Sequence, residues 1–181
     1  GFEPQVGDDY KELILIIPFV QSLSGVYWHN YVVRIYLDDY WAMKGGNDWY
    51  GYRKVLADFF ETAAAPQFTV KHLGVDKFES TIDNLGPVFS DSQAVGQLPN
   101  YQDMKLIFKM PILGTLTQYP GDPYVCSYFD FRFANAQIQQ MRSQHEFKSE
   151  FVPYMSDWVA LGLITSTVDA AWRIEGMNWR L

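Results

Sequence analysis

The chain has 181 residues, 48% of them hydrophobic and 19% charged, which excludes a long disordered segment and supplies enough apolar material for one compact domain. Lys and Arg total 14 against 21 Asp and Glu, a formal charge of −7 that leaves no basic footprint for nucleic acid or anionic lipid. The longest nearly unbroken apolar run, Leu13 to Val20, contains Pro18 and falls far short of the roughly 20 residues that span a bilayer, so a buried strand and no membrane partner are expected.

Aromatic residues make up 17% and cluster with β-branched residues between Gly, Pro, Asn and Asp, a pattern of mostly strand. Tyr10 to Phe19 and Val26 to Leu37 are two such runs, joined by the polar connector Gln21 to Gly25, and predict an antiparallel pair. Asp38 or Asp39 can cap a short helix over Tyr40 to Lys44, which Gly45 and Gly46 are expected to end. From Trp49 to Ala65, Tyr52, Val55, Leu56, Phe59 and Phe60 recur at three- and four-residue spacing, predicting a helix that Pro66 stops. Phe68 to Leu73 and Lys77 to Ile82 are expected strands, followed by a loop through about Asn100. Met104 to Ile112, Tyr124 to Phe133, Val159 to Ile164 and Val168 to Trp179 are further expected strands, the last alternating through Val168, Ala170, Trp172 and Ile174. No repeat or second domain boundary stands out, and residues 1–181 are expected to form one domain.

The common catalytic motifs are absent. Gly45-Gly46-Asn47 lacks the Gly-Lys-Ser/Thr ending of a phosphate loop, and there is no nucleophile elbow for a serine hydrolase. His29, His72 and His145 lack a second ligand at helix-face spacing, so no metal is expected. Cys126 is the single cysteine; it can form no internal disulfide, and with no signal-peptide pattern at Gly1 a cytoplasmic protein is the expectation.

The segment Tyr36-Leu37-Asp38, then Ala42, Gly46 and Gly51-Tyr52-Arg53-Lys54-Val55-Leu56-Ala57, resembles the signature of the acetoacetate decarboxylase family. That signature reads Tyr-Leu-Asp, a short helix containing Ala, Gly-Arg-Glu, a spacer ending in Gly or Ala and Tyr or Phe, and Pro-Lys-Lys-Leu. The spacing agrees without a gap from Tyr36 to Leu56. Upstream, Tyr10-Lys11-Glu12 resembles the family's Tyr-x-Glu strand. Downstream, Asn100-Tyr101-x-x-Met104-Lys105 and Val168 to Trp172 are similar to its later strands.

The resemblance implies a mainly antiparallel closed or nearly closed β-barrel with a few short helices, assembled into homo-oligomers. It implies a Schiff-base lysine at Lys54 and a site glutamate at Glu12, with Tyr52, Tyr10 and Ile35 lining the substrate pocket, and no cofactor. A small keto acid is the implied partner. Val55 stands where the family has a second lysine, Arg53 where it has proline, and Gly46-Asn47-Asp48 where it has Gly-Arg-Glu. Only nine residues precede Tyr10, so the family's N-terminal portion, with its arginine for the substrate carboxylate, is expected to be missing.

A lysine must be unprotonated to attack a ketone, and an exposed ammonium titrating near 10.4 is almost wholly unavailable at neutral pH. Lys54 sits among Trp49, Tyr50, Tyr52, Val55, Leu56 and Phe59, whose burial would favour the neutral amine. A second lysine in place of Val55 would add like-charge repulsion of about 3 kcal/mol at roughly 6 Å, so weak decarboxylation is expected here. The protonated imine would draw electrons from the bond to a leaving carboxylate, and Glu12 would protonate the enamine. The same lysine could serve an aldol or dehydration step. The ordinary alternatives are a lysine snorkelling at the surface of a non-catalytic barrel that binds an apolar or aromatic ligand, or an assembly subunit.

Overall fold

The first two apolar runs pair as expected. β1 (Glu12–Gln21) lies antiparallel to β2 (Trp28–Leu37), from Glu12 opposite Leu37 to Gln21 opposite Trp28. Its register shifts between Leu15 and Ile16 and again between Ile17 and Val20. Pro18, which has no N–H to give a ladder, falls at the second shift, where Phe19 takes a φ of 59°. The computed structural model describes residues 10–21, 28–62, 67–98, 100–115, 124–148, 165–175 and 177.

Asp39 caps α1 (Tyr40–Tyr50) by accepting a hydrogen bond from the Ala42 N–H at 2.6 Å. The helix does not stop at Gly45 and Gly46. It runs on to Gly51, whose left-handed φ of 64° ends it. The helix expected from Trp49 to Ala65 is therefore not formed: β3 (Lys54–Leu56) and β4 (Asp58–Thr62) follow, and Ala63 to Pro66 lie outside the described residues. The apolar spacing is helical, and tertiary pairing overrides it. What decides is the open side of β2, along which Ile35, Tyr36 and Leu37 pair in parallel with Lys54, Val55 and Leu56.

The described residues of 1–59, 70–76 and 110–128 form one compact unit, and those of 60–69, 77–109 and 129–181 form another. In the first, β7 (Ile112–Thr115) joins β2 in parallel through Asn30 and Tyr31, and β8 (Tyr124–Ser127) runs antiparallel to β7. The sheet order is β1-β2-β7-β8, with β3 also on β2. This sheet is mixed rather than purely antiparallel, because a helix between β2 and β3 allows the chain to return in the same direction. Val32, Ile35, Tyr36, Leu37, Tyr52 and Ala57 are buried.

The second sheet has the order β10-β9-β6-β5-β4, comprising β4, β5 (Gln67–His72), β6 (Val75–Ser90), β9 (Gln137–Phe147) and β10 (Thr165–Glu175). β9 is antiparallel to both neighbours. The expected loop after Ile82 is instead the continuation of β6 and α2 (Asp91–Gln97), started by a reciprocal Ser90 and Gln93 capping box. The expected strand over Met104 to Ile112 is helix α3 (Tyr101–Lys109), with only its last residue in β7. Tyr101 and Met104 bury one helical face with Ala94, Leu98, Phe133, Ala136 and Ile138, overriding the alternation of Met104, Leu106 and Phe108. The strand expected over Tyr124 to Phe133 ends at Ser127, and Val159 to Ile164 lie outside the described residues. The fold is mainly β, and no helix among the described residues is long and apolar enough to cross a membrane.

Candidate functional site

Residues paired across a ladder project to the same side of a sheet. Glu12 pairs with Leu37, Ile14 with Ile35, and Ile35 in turn with Lys54, so Glu12, Ile14, Ile35, Leu37 and Lys54 share one face. Leu13, Tyr36 and Val55 occupy the other. Ile35 and Leu37 are 2% and 0% exposed and make an apolar floor beside the two charged groups.

The Lys54 side chain is 9% exposed and that of Glu12 20%, with Nζ 2.5 Å from Oε1 of Glu12. A cation withdrawn from water this far needs a counter-ion, and the edge strand supplies it from 42 residues away in sequence. The Tyr10 ring lies with its centroid 5.9 Å from the same Nζ, within cation–π range. Burial, and then the Glu12 carboxylate, push the Tyr10 hydroxyl above its ordinary range, so it stays a neutral donor.

Helix α1 fixes the backbone of the lysine. The Asn47 side chain accepts from the Lys54 N–H at 2.8 Å and donates to the Lys54 carbonyl at 2.9 Å. The preceding Gly46 lets the lysine stem pass against the helix, and its carbonyl accepts from the Tyr52 N–H at 3.0 Å. A Cβ on Gly114 of β7 would stand 1.7 Å from the Tyr50 carbonyl oxygen, so glycine is required where the end of α1 meets this strand.

Tyr52 is 6% exposed and stacks on Tyr50 with centroids 5.6 Å apart. Burial dominates its titration and holds its hydroxyl up at about 12, the nearby Glu12 charge adding to the rise. Ser127, 7% exposed, is close enough to act on that hydroxyl, yet the two complete no hydrogen bond of normal geometry. Tyr52 Oη and Ser127 Oγ are both closed to solvent without a partner.

The structure thus brings Lys54, Glu12 and Tyr10 into contact, sets Ile35 beside them, and buries Tyr52 two residues before the lysine. Asn47 and Ser127 were not among the sequence-derived candidates. Asn47 stands at the place of the arginine in the resembled Gly-Arg-Glu; nothing in the local sequence marks Ser127. Cys126 is exposed, and burial of its sulfur raises the thiol despite a hydrogen bond with Tyr128, so it is no poised nucleophile. Among the described residues no group of three His, Cys, Asp or Glu could hold a metal ion.

No family model matches the sequence, and no curated protein matches it. Among solved structures, acetoacetate decarboxylase from Legionella pneumophila superposes with a TM-score of 0.63 at 16% identity, over 92% of this chain and 62% of that one. The enduracididine biosynthesis enzyme MppR with HEPES buffer bound gives a TM-score of 0.51 at 13% identity, over 92% and 64%. MppR complexed with the condensation product of pyruvate and imidazole 4-carboxaldehyde gives 0.51 at 12%, over 94% and 65%. The chain spans less than two thirds of the length of each. Sequences this far apart share a backbone rather than a demonstrated chemistry, and the comparison establishes that this chain carries a fold similar to that of acetoacetate decarboxylase.

Proposed function

We propose that the protein is a Schiff-base-forming enzyme acting on a small keto acid, with Lys54 as nucleophile and Glu12 as its proton acceptor and donor. The observation that carries this reading is the buried Lys54 amine held 2.5 Å from Glu12 over an apolar floor. Transfer of the ammonium proton to Glu12 neutralises both groups and frees the amine. The amine attacks the substrate carbonyl carbon, and loss of water leaves a protonated imine. Protonated Glu12 gives its proton to the departing hydroxyl; in a β-keto acid the iminium then accepts the electron pair of the bond to the carboxylate, carbon dioxide departs, and Glu12, reprotonated from water, protonates the enamine carbon. Water then releases the ketone and regenerates the amine.

The likeness to MppR, whose structure holds a condensation product of pyruvate, favours a second reading in which the enamine attacks an aldehyde instead of a proton. Both readings share the imine. The closed barrel and the homo-oligomer belong to the same proposal, and native mass spectrometry reads the subunit number.

Borohydride reduction in the presence of acetoacetate or pyruvate, followed by intact mass and peptide mapping, tests the reading. One adduct on Lys54, absent in Lys54→Ala, is the expected result. No adduct, or labelling spread over exposed lysines, would leave a binding or assembly role in its place. Carbon dioxide release from acetoacetate then separates decarboxylation from condensation.

A further inference from the structure

Buried hydroxyls that lack partners are rare, because each forfeits its hydration without replacing it. Tyr52 Oη and Ser127 Oγ form such a pair, in residues more than nine-tenths buried. They come from different segments beside β2: Tyr52 follows α1 two residues before Lys54, and Ser127 reaches β2 through its ladder partner Ile112, which pairs with Asn30. Two hydroxyls this close can satisfy each other only once, leaving one proton to donate. An acceptor oxygen placed between them takes both O–H groups.

The arginines of this unit are turned away. Its arginines are Arg34 and Arg53. Arg34 pairs with Leu15 and acts on the Tyr36 hydroxyl, on the face opposite Lys54, and Arg53 is exposed. Lys54 is engaged with Glu12.

We propose that Tyr52 and Ser127 form a two-hydroxyl receptor for a second oxygen of the substrate, the carboxylate or further carbonyl oxygen of a small keto acid whose first carbonyl faces Lys54. The inference rests on the Schiff-base reading for the identity of the substrate, not for the existence of the receptor.

The test compares ligands that have and lack the second oxygen. Half-saturating concentrations for borohydride trapping are measured with pyruvate and with 2-butanone, for the parent protein, Tyr52→Phe and Ser127→Ala. The expected result is about a tenfold rise for pyruvate in either variant, the loss of roughly one hydrogen bond, with butanone unchanged. Equal shifts for both ligands, or none, overturn the receptor. Saturation-transfer NMR with butyrate and the alcohol butanol, neither of which forms an imine, reads the receptor independently. If the parent traps nothing but binds butyrate, and both variants weaken that binding, the Schiff-base reading fails and the receptor stands. If trapping on Lys54 succeeds while both variants bind butyrate as the parent does, the receptor fails and the Schiff-base reading stands.

Discussion

The stem of Lys54 crosses α1 at Gly46 so closely that a Cβ there would stand 2.4 Å from its Cδ and 2.5 Å from its Cε. Glycine inside a helix ordinarily costs up to about 1 kcal/mol relative to alanine, so its use here marks a contact the helix itself does not need. Gly46→Ala should leave thermal stability near that of the parent, helix propensity offsetting local repacking, while the displaced amine loses its alignment with Glu12. Borohydride trapping should fall at least about tenfold, the effect of roughly 1.4 kcal/mol of misplacement. Unchanged trapping would show that the lysine reaches its position without the glycine.

Asn47 holds both peptide groups of Lys54, and its loss leaves a donor and an acceptor to find water. Asn47→Ala should destabilise the protein by about 1–3 kcal/mol in urea unfolding. Asn47→Asp keeps the acceptor for the Lys54 N–H but turns an oxygen toward its carbonyl, and should be no better than alanine.

Tyr52→Phe and Ser127→Ala should act in the opposite sense. Each removes a buried hydroxyl without a partner while keeping most of the side-chain volume, so each should raise stability, by up to about 1–3 kcal/mol, in calorimetry without ligand. A drop in stability would mean that the hydroxyls are satisfied in solution.

Val55 changes meaning once the ladder is known. The sequence makes it the neighbour of Lys54, where a charge is expected to assist the amine. In the sheet it pairs with Tyr36 on the far face. Val55→Lys should therefore leave the pH dependence of trapping where it is, and should cost stability through a cation placed among half-buried apolar groups. A shift of the trapping profile toward lower pH would refute this.

Alkali should weaken the fold. Burial raises Tyr10, Tyr36, Tyr52 and Tyr101 above the ordinary tyrosine value, Tyr52 to about 12. Between about pH 10 and 12 the unfolded chain gives up protons that the folded chain keeps, so stability is full below about 10 and falls as pH rises. Tyr52 alone accounts for roughly 2–3 kcal/mol, and urea unfolding at about pH 9 and 11 should show a smaller decline in Tyr52→Phe.

The first hairpin, the Asp39 cap and the joining of Glu12 to Lys54 were legible because each depends on a short pattern: alternation, a capping side chain, or a motif of known spacing. Several elements were not. Gly45 and Gly46 signalled the end of α1, but Gly46 lies inside it to admit a side chain from a strand not yet formed. Phe59 and Phe60 matched a helical face, yet Gly51 had already turned the chain and the side of β2 captured what followed. Ser90 and Gln93 carry a legible capping box, which the surrounding Ser, Gly and Pro concealed as loop. For α1 and β3 a partner distant in sequence decided, and periodicity registers only neighbours. The same limit hid Ser127, whose significance arises only opposite Tyr52.

Among the described residues β1 borders the first sheet, held on one side by β2 and interrupted twice in register, and it carries the counter-ion of Lys54. Local opening of an edge strand requires less free energy than global unfolding. When β1 lifts, Lys54 is left as a solvated amine and becomes an ordinary target for acylating reagents. The rate at which a dilute amine-reactive reagent modifies Lys54 is therefore a clock for this opening. A ligand that bridges Lys54 and the rest of the sheet should slow that clock in proportion to its occupancy, even if it leaves the melting temperature of the second unit unmoved.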